Sequence, residues 1–215
     1  YLQIAGEYQE RYPHDIVLVY VNGKLQELGK KPKKDCALHF VTTGETIGNL
    51  TYRRGVSFLL VKAVYDTIGH DKIEQVRIHF SVDKGYYCTI KGDQKLDQKL
   101  LARIEERMHE MADMDLSIRK RSVHTDEAIE MFRKYGMKDK ERLFRYRRVS
   151  TVNIYSINEF EDYYYGYMVP STGYLKYFKL YLYDEGFVVQ MPEAAEPEKI
   201  PPFQPQNKLF HVLKE

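Results

Sequence analysis

Any chemistry in this chain of 215 residues has to come from a short supply of reactive groups. The seven histidines are His14, His39, His70, His79, His109, His124 and His211, and no two are four residues apart, the spacing that puts a metal-binding pair on one helix face. A hairpin could bring His70 and His79 together, although histidines acting singly at the surface are the simpler reading. Cys36 and Cys88 are too few for a four-thiolate zinc site or a disulfide framework, and they point to a reducing, cytoplasmic compartment. Cys88 lies between Tyr87 and Thr89 in a strand-like run with no neighbouring base, which favours a buried structural thiol over a nucleophile. Glu105, Glu106 and Glu110 alternate with Arg103 and Arg107, the pattern of surface ion pairs on a helix rather than of acid–base catalysis.

Two regional biases carry more information. Residues 117–149 hold eleven Lys and Arg against five acids, whereas the whole chain is nearly balanced, with 33 cations and 31 anions. Arg119, Lys120 and Arg121, with Arg145, Arg147 and Arg148, could form a phosphate-contacting patch with Tyr146 as a stacking platform for nucleotide or RNA. A solvated charged rim is the plain alternative. The second bias is Tyr163-Tyr164-Tyr165-Gly166-Tyr167, in a chain with 19 tyrosines and no tryptophan. Tyr163, Tyr165 and Tyr167, joined by Tyr87, could line a pocket that offers phenol donors, or could simply pack. No phosphate-loop pattern and no glycine-rich strand-to-helix turn is present, which excludes nucleotide-dependent phosphoryl transfer within these residues.

The elements that must position these groups read as α+β. A short helix carries Leu2, Ile4, Ala5 and Tyr8 and stops before Pro13. The β-branched run 16–21 closes on Asn22-Gly23, a strong hairpin signal, and 24–28 returns. A lysine-rich linker, 30–34, leads to a strand at 37–41, and Gly44 and Gly48 mark turns. Apolar residues at helical spacing predict a helix over 56–68, with Lys62 and Asp66 facing solvent. Strands follow at 73–80 and 85–90. A long helix over 94–114 has Leu96, Leu100, Ile104, Met108 and Met111 as its packing stripe. Thr125 is read as the N-cap of another helix that ends at Gly136. Strands at 149–157, 174–182 and 187–191 complete the pattern, the last two joined by Asp184-Glu185-Gly186. Five prolines between 192 and 205 mark a linker or extended arm, and Leu209 to Leu213 would start a helix. No apolar run approaches the roughly 20 residues a membrane helix needs. Because the chain opens at Tyr1 without a methionine, it reads as an excised piece or as one lacking its disordered start.

Four segments, in order, resemble the N-terminal editing architecture of threonyl-tRNA synthetases. These are 58–64, Gly85-Tyr86-Tyr87, 127–132, and 162–173 running into 176–180. The resemblance implies a truncated TGS-like (ubiquitin-like β-grasp) unit at 1–48. A synthetase second-additional-domain-like α+β domain with an antiparallel sheet follows at 49–191, and a proline-rich linker at 192–215. In that family a His-x-x-x-His pair on a helix and a Cys-x-x-x-His pair in a later loop surround a hydrolytic metal centre. The matching positions here are Arg54, Phe58, Tyr164 and Met168. None offers a good zinc donor at neutral pH, so the resemblance implies a relict pocket with no metal and no catalytic residue.

The degenerate module with its proline-rich exit also resembles the N-terminal region of bacterial uridine-kinase-like (nucleoside-kinase) proteins. That resemblance implies a noncatalytic accessory region, possible contact with nucleotide or RNA, and a following kinase domain as partner. ATP and magnesium would belong only to that absent domain. A structural or homo-oligomerising module and an aminoacyl-tRNA editing hydrolase with a rearranged site are the alternatives.

Overall fold

The computed structural model describes all residues except 33–34, 147–148, 207–209, 211 and 214–215. The fold is α+β with three antiparallel sheets among the described residues. In the N-terminal part, α1 (Leu2–Tyr8) precedes β1 (Ile16–Val21), β2 (Lys24–Glu27) and β3 (Leu38–Thr42), in the order β2-β1-β3. The β1–β2 turn has Asn22 at φ 49° and Gly23 at φ 78°, the two successive positive values that a tight two-residue hairpin demands. Ile16, Val19, Leu28 and Phe40 make a small core with Ala5 of α1, whereas Val17, Leu18 and Val41 join the main core. This sheet is therefore apolar on both faces.

Between the sheets runs α2 (Thr46–Ile68), 23 residues long and buried on nearly every side. The sequence pattern predicts only its second half. Gly48 is not a turn residue but lies in the first helical turn, where a Cβ would stand 1.9 Å from the Thr42 carbonyl oxygen. A Cβ on Gly55 would meet Leu175 Cδ2 at 2.7 Å. These glycines lower helix propensity locally, yet they are what lets the helix lie so close to its neighbours. Lys62 also departs from expectation: it is only 6% exposed, its ammonium 2.9 Å from Asp66, which in turn takes Arg107 of the next helix at 3.0 Å.

The remaining elements are β4 (Ile73–Val82), β5 (Gly85–Gly92), α3 (Gln98–Asp113), β6 (Ile118–His124), α4 (Thr125–Lys134), α5 (Lys138–Arg145), β7 (Thr151–Ile157), β8 (Phe160–Tyr163), β9 (Lys179–Tyr183) and β10 (Gly186–Gln190). They build a four-stranded sheet, β4-β5-β10-β9, and a three-stranded one, β6-β7-β8. The helix α3 is capped by Asp97, whose carboxylate accepts the Leu100 N–H at 2.7 Å, and Ile104, Met108 and Met111 are fully buried, as the stripe predicts. Thr125 does not cap α4. It is the first helical residue, its hydroxyl donates to the Val149 carbonyl, and His124 holds the cap position. Gly136, at φ 70°, lies just beyond α4, close to the predicted stop. No helix among the described residues is long and apolar enough to cross a membrane.

Candidate functional site

One turn of α2 presents Arg54 and Phe58 to the loop that follows β8. Phe58 has no solvent exposure; its ring centroid lies 5.1 Å from that of Tyr164 and 5.9 Å from that of Phe160. Met168, at the far end of the loop, is 2% exposed. Arg54 Nη1 donates to the Tyr167 carbonyl at 2.5 Å. Gly166 takes φ 105°, and a Cβ there would come within 2.7 Å of Arg54 Cζ. The guanidinium is thus seated on backbone that only glycine can supply. Burial lowers the Arg54 pKa, opposed by Tyr155, Tyr86 and Glu27, but a guanidinium stays charged throughout the physiological range.

The charge is answered from the other sheet. Glu27, at the end of β2, accepts the Tyr155 hydroxyl at 2.5 Å and the Met168 N–H at 3.1 Å on Oε1, and pairs through Oε2 with Lys120 at 3.3 Å. The Tyr155 oxygen is also 2.9 Å from the Gly166 carbonyl, so its hydrogen lies between two acceptors. Burial first, and the bond to Glu27 second, push the Tyr155 phenol upward and keep it a neutral donor. Sequence reasoning missed Glu27, because nothing in a four-residue strand signals a contact with residues more than a hundred positions away. Beside this cluster lies a cleft of about 550 Å³, whose walls include Leu2, Glu27, Arg119, Tyr155, Met168 and Pro170.

The arrangement binds backbone and fills space. Glu27 already has three donors, which leaves it engaged rather than poised to take a proton from water. Phe58 and Met168 supply apolar bulk, and no group of three His, Cys, Asp or Glu able to hold a metal occurs among the described residues.

The other sequence-derived residues scatter. Tyr163 sits edge-on to Phe144 at 4.9 Å, Tyr165 is 84% exposed, and Tyr167 is half-buried with its carbonyl on Arg54. Tyr87 belongs to a different cluster, 4.8 Å from the Phe210 ring and 5.4 Å from that of His79. The four tyrosines therefore do not share a pocket. Arg119, Lys120 and Arg121 are successive residues of β6, so strand alternation turns Lys120 away from the other two. Lys120 pairs with Glu27, and Arg121 with Glu127 and Glu161. Arg145, on α5, pairs with Glu141 at 2.5 Å, which lowers the Glu141 pKa. Arg147 and Arg148 lie outside the described residues. His70 stacks on Tyr65 at 4.5 Å, whereas His79 bonds Thr89 at 2.7 Å, so the two serve separate clusters. Cys88 is fully buried, its thiol pushed up by burial.

No family model matches the chain. Curated relatives do. The chain is similar to threonine–tRNA ligases. The relative from Teredinibacter turnerae is 32% identical over 161 residues, 74% of this chain and 25% of its own length. The relative from Halorhodospira halophila is 30% identical over 179 residues, 83% of this chain and 28% of its own. The relative from Marinobacter nauticus is 32% identical over 161 residues. The chain spans about a quarter of the length of these relatives. The α+β fold with its antiparallel sheets matches the TGS and editing-domain-like region of those ligases. The similarity overturns the expectation of a nucleoside-kinase parent, and with it the kinase domain as partner and the ATP-dependent transferase activity. The expectation failed for a physical reason: the side-chain types at 54, 58, 164 and 168 and the prolines after β10 are local features that say nothing about which domain lies next along a chain.

Proposed function

We propose that this chain is a hydrolytically silent, editing-type region of a threonine–tRNA-ligase-like protein, in which the former reaction centre has become a packed joint. The observation that carries the reading is the seating of Arg54 on Gly166 and the Tyr167 carbonyl, beside the Phe58–Tyr164 contact. A guanidinium can replace the positive charge of a metal but binds no water as hydroxide, so it preserves the electrostatics of the cavity without the nucleophile. The four positions 54, 58, 164 and 168 are the relict ligand set in this reading. The division into 1–48, 49–191 and 192–215 belongs to it too, as does a cytoplasmic setting with Cys36 and Cys88 as free thiols.

Two measurements test it. Metal analysis of the purified chain should find no stoichiometric zinc, and the chain should release no amino acid from a mischarged threonine tRNA. The variant Arg54→His/Phe58→His/Tyr164→Cys/Met168→His should retain zinc, because it restores two helical and two loop donors on the same frame. Zinc bound by the parent chain, or hydrolysis sensitive to Tyr164→Ala, would refute the assignment.

A further inference from the structure

The segment after β10 has the composition of a flexible linker, yet its described residues are tied down at each end and between. The Pro192 carbonyl accepts Asn49 Nδ2 of α2 at 3.2 Å, Glu193 pairs with Lys84 at 2.9 Å, and Glu198 reaches His14 of the N-terminal part at 3.4 Å. The chain then crosses the outer face of the β4-β5-β10-β9 sheet. Phe203 stacks on Tyr181 at 5.2 Å and meets Tyr183 edge-on at 5.5 Å. Phe210, only 2% exposed, packs on Tyr183 at 4.7 Å, Tyr87 at 4.8 Å and Phe80 at 5.8 Å.

Hydrogen bonds fix the register. Gln190 of β10 has no solvent exposure, and its Nε2 donates to Asp83 Oδ2 at 2.8 Å and approaches the Pro201 carbonyl at 3.3 Å. Asp83 Oδ2 also accepts the Gln204 N–H at 3.1 Å. Prolines suit this path for two reasons. At the buried Pro192 and Pro197 they remove an N–H that would need a partner, and all of them restrict the undocked chain, so docking loses less conformational entropy.

We propose that the outer face of this sheet is a docking site for the chain's own arm, with Phe203 and Phe210 as anchors and the Asp83–Gln190 pair as a clasp. The docked arm sets the direction in which the chain leaves the sheet and covers an aromatic face of Phe80, Tyr87, Tyr181 and Tyr183. Without the arm that face would be an exposed apolar patch of the kind that drives association. The site is independent of the relict centre and stands whether or not that centre is silent.

The test uses the full chain. Trypsin cleavage after Lys199 and amide exchange at Gln204 should both accelerate about tenfold or more in Phe203→Ala/Phe210→Ala, while protection in α2 and α3 is retained. Asp83→Gly, which suits the φ of 50° at that position and removes the side chain whose carboxylate accepts the Gln204 N–H, should release that amide in the same way. Unchanged cleavage and exchange in both variants would overturn the proposal. In a Cys36→Ser background, oxidation of Tyr181→Cys/Phe203→Cys should give a cross-linked monomer. A cross-linked dimer would instead mean that the arm docks on a second copy, and would overturn docking in cis.

Discussion

The carboxylate of Glu27 accepts the backbone N–H of Met168 at 3.1 Å, across 141 residues of chain. This contact ties the edge strand of the N-terminal sheet to the loop after β8, which faces Arg54 and Phe58 of α2. The same oxygen takes the Tyr155 hydroxyl, so one side chain satisfies donors from two elements of the larger part.

Glu27→Gln puts a second set of donors where donors already point. It should lower stability by about 1–3 kcal/mol, a fall in Tm of a few degrees for a chain of this size, with faster amide exchange at Met168. An unchanged Tm together with unchanged Met168 exchange would show that the tie carries no energy.

Gly166→Ala adds a Cβ at φ 105° and pushes it to 2.7 Å from Arg54 Cζ. The backbone strain alone costs about 1–3 kcal/mol, and the clash adds to it. Arg54→Ala in the same chain should recover the clash part but not the strain part. A double-mutant cycle by denaturant unfolding therefore gives a non-zero coupling, and strict additivity would place the guanidinium elsewhere.

Asp66 and Lys62 differ in what their removal leaves behind. Asp66→Ala strands the Lys62 ammonium, which is 6% exposed, and should cost about 3–5 kcal/mol. Lys62→Met keeps the aliphatic bulk and leaves Asp66 paired with Arg107, so it should be close to neutral. Equal losses in the two variants would contradict a buried ammonium.

Alkaline pH should destabilise the fold. Burial raises the Cys88 thiol and the phenols of Tyr52, Tyr65, Tyr155 and Tyr174, the last to about 12. Each folded-state pKa lies above the unfolded value, so this stability is fully present below about pH 9 for the thiol and pH 10 for the phenols. As pH rises further, the unfolded chain loses protons that the folded chain keeps, at about 1.4 kcal/mol per pH unit for each such group. Unfolding monitored between pH 8 and 11 should show stability falling with pH. Over the same range a thiol reagent should modify Cys36 in the folded chain and Cys88 only after unfolding, as read by intact mass.

Local pattern was enough to read the β1–β2 hairpin, the β4–β5 and β9–β10 pairs and the stripe of α3, because Asn22-Gly23, Asp184-Glu185-Gly186 and apolar residues at fixed spacing are signals contained within a few residues. The same pattern hid the first half of α2, whose glycines are explained only by Thr42 and Leu175 pressing against them. It also hid β6, where Arg119 to Ser122 are all exposed and only the ladder to β7 makes a strand, and the short α5 and β8. At the site, the sequence on its own determined which side-chain types stand at 54, 58, 164 and 168, and so what chemistry those positions lack. Tertiary structure decided that Arg54 rests on Gly166, that Glu27 joins from another sheet, and that Tyr87 stands apart from the tyrosines of the loop. Composition fixes the chemical capacity of each residue, but which residues meet across a hundred positions depends on how the sheets and α2 pack.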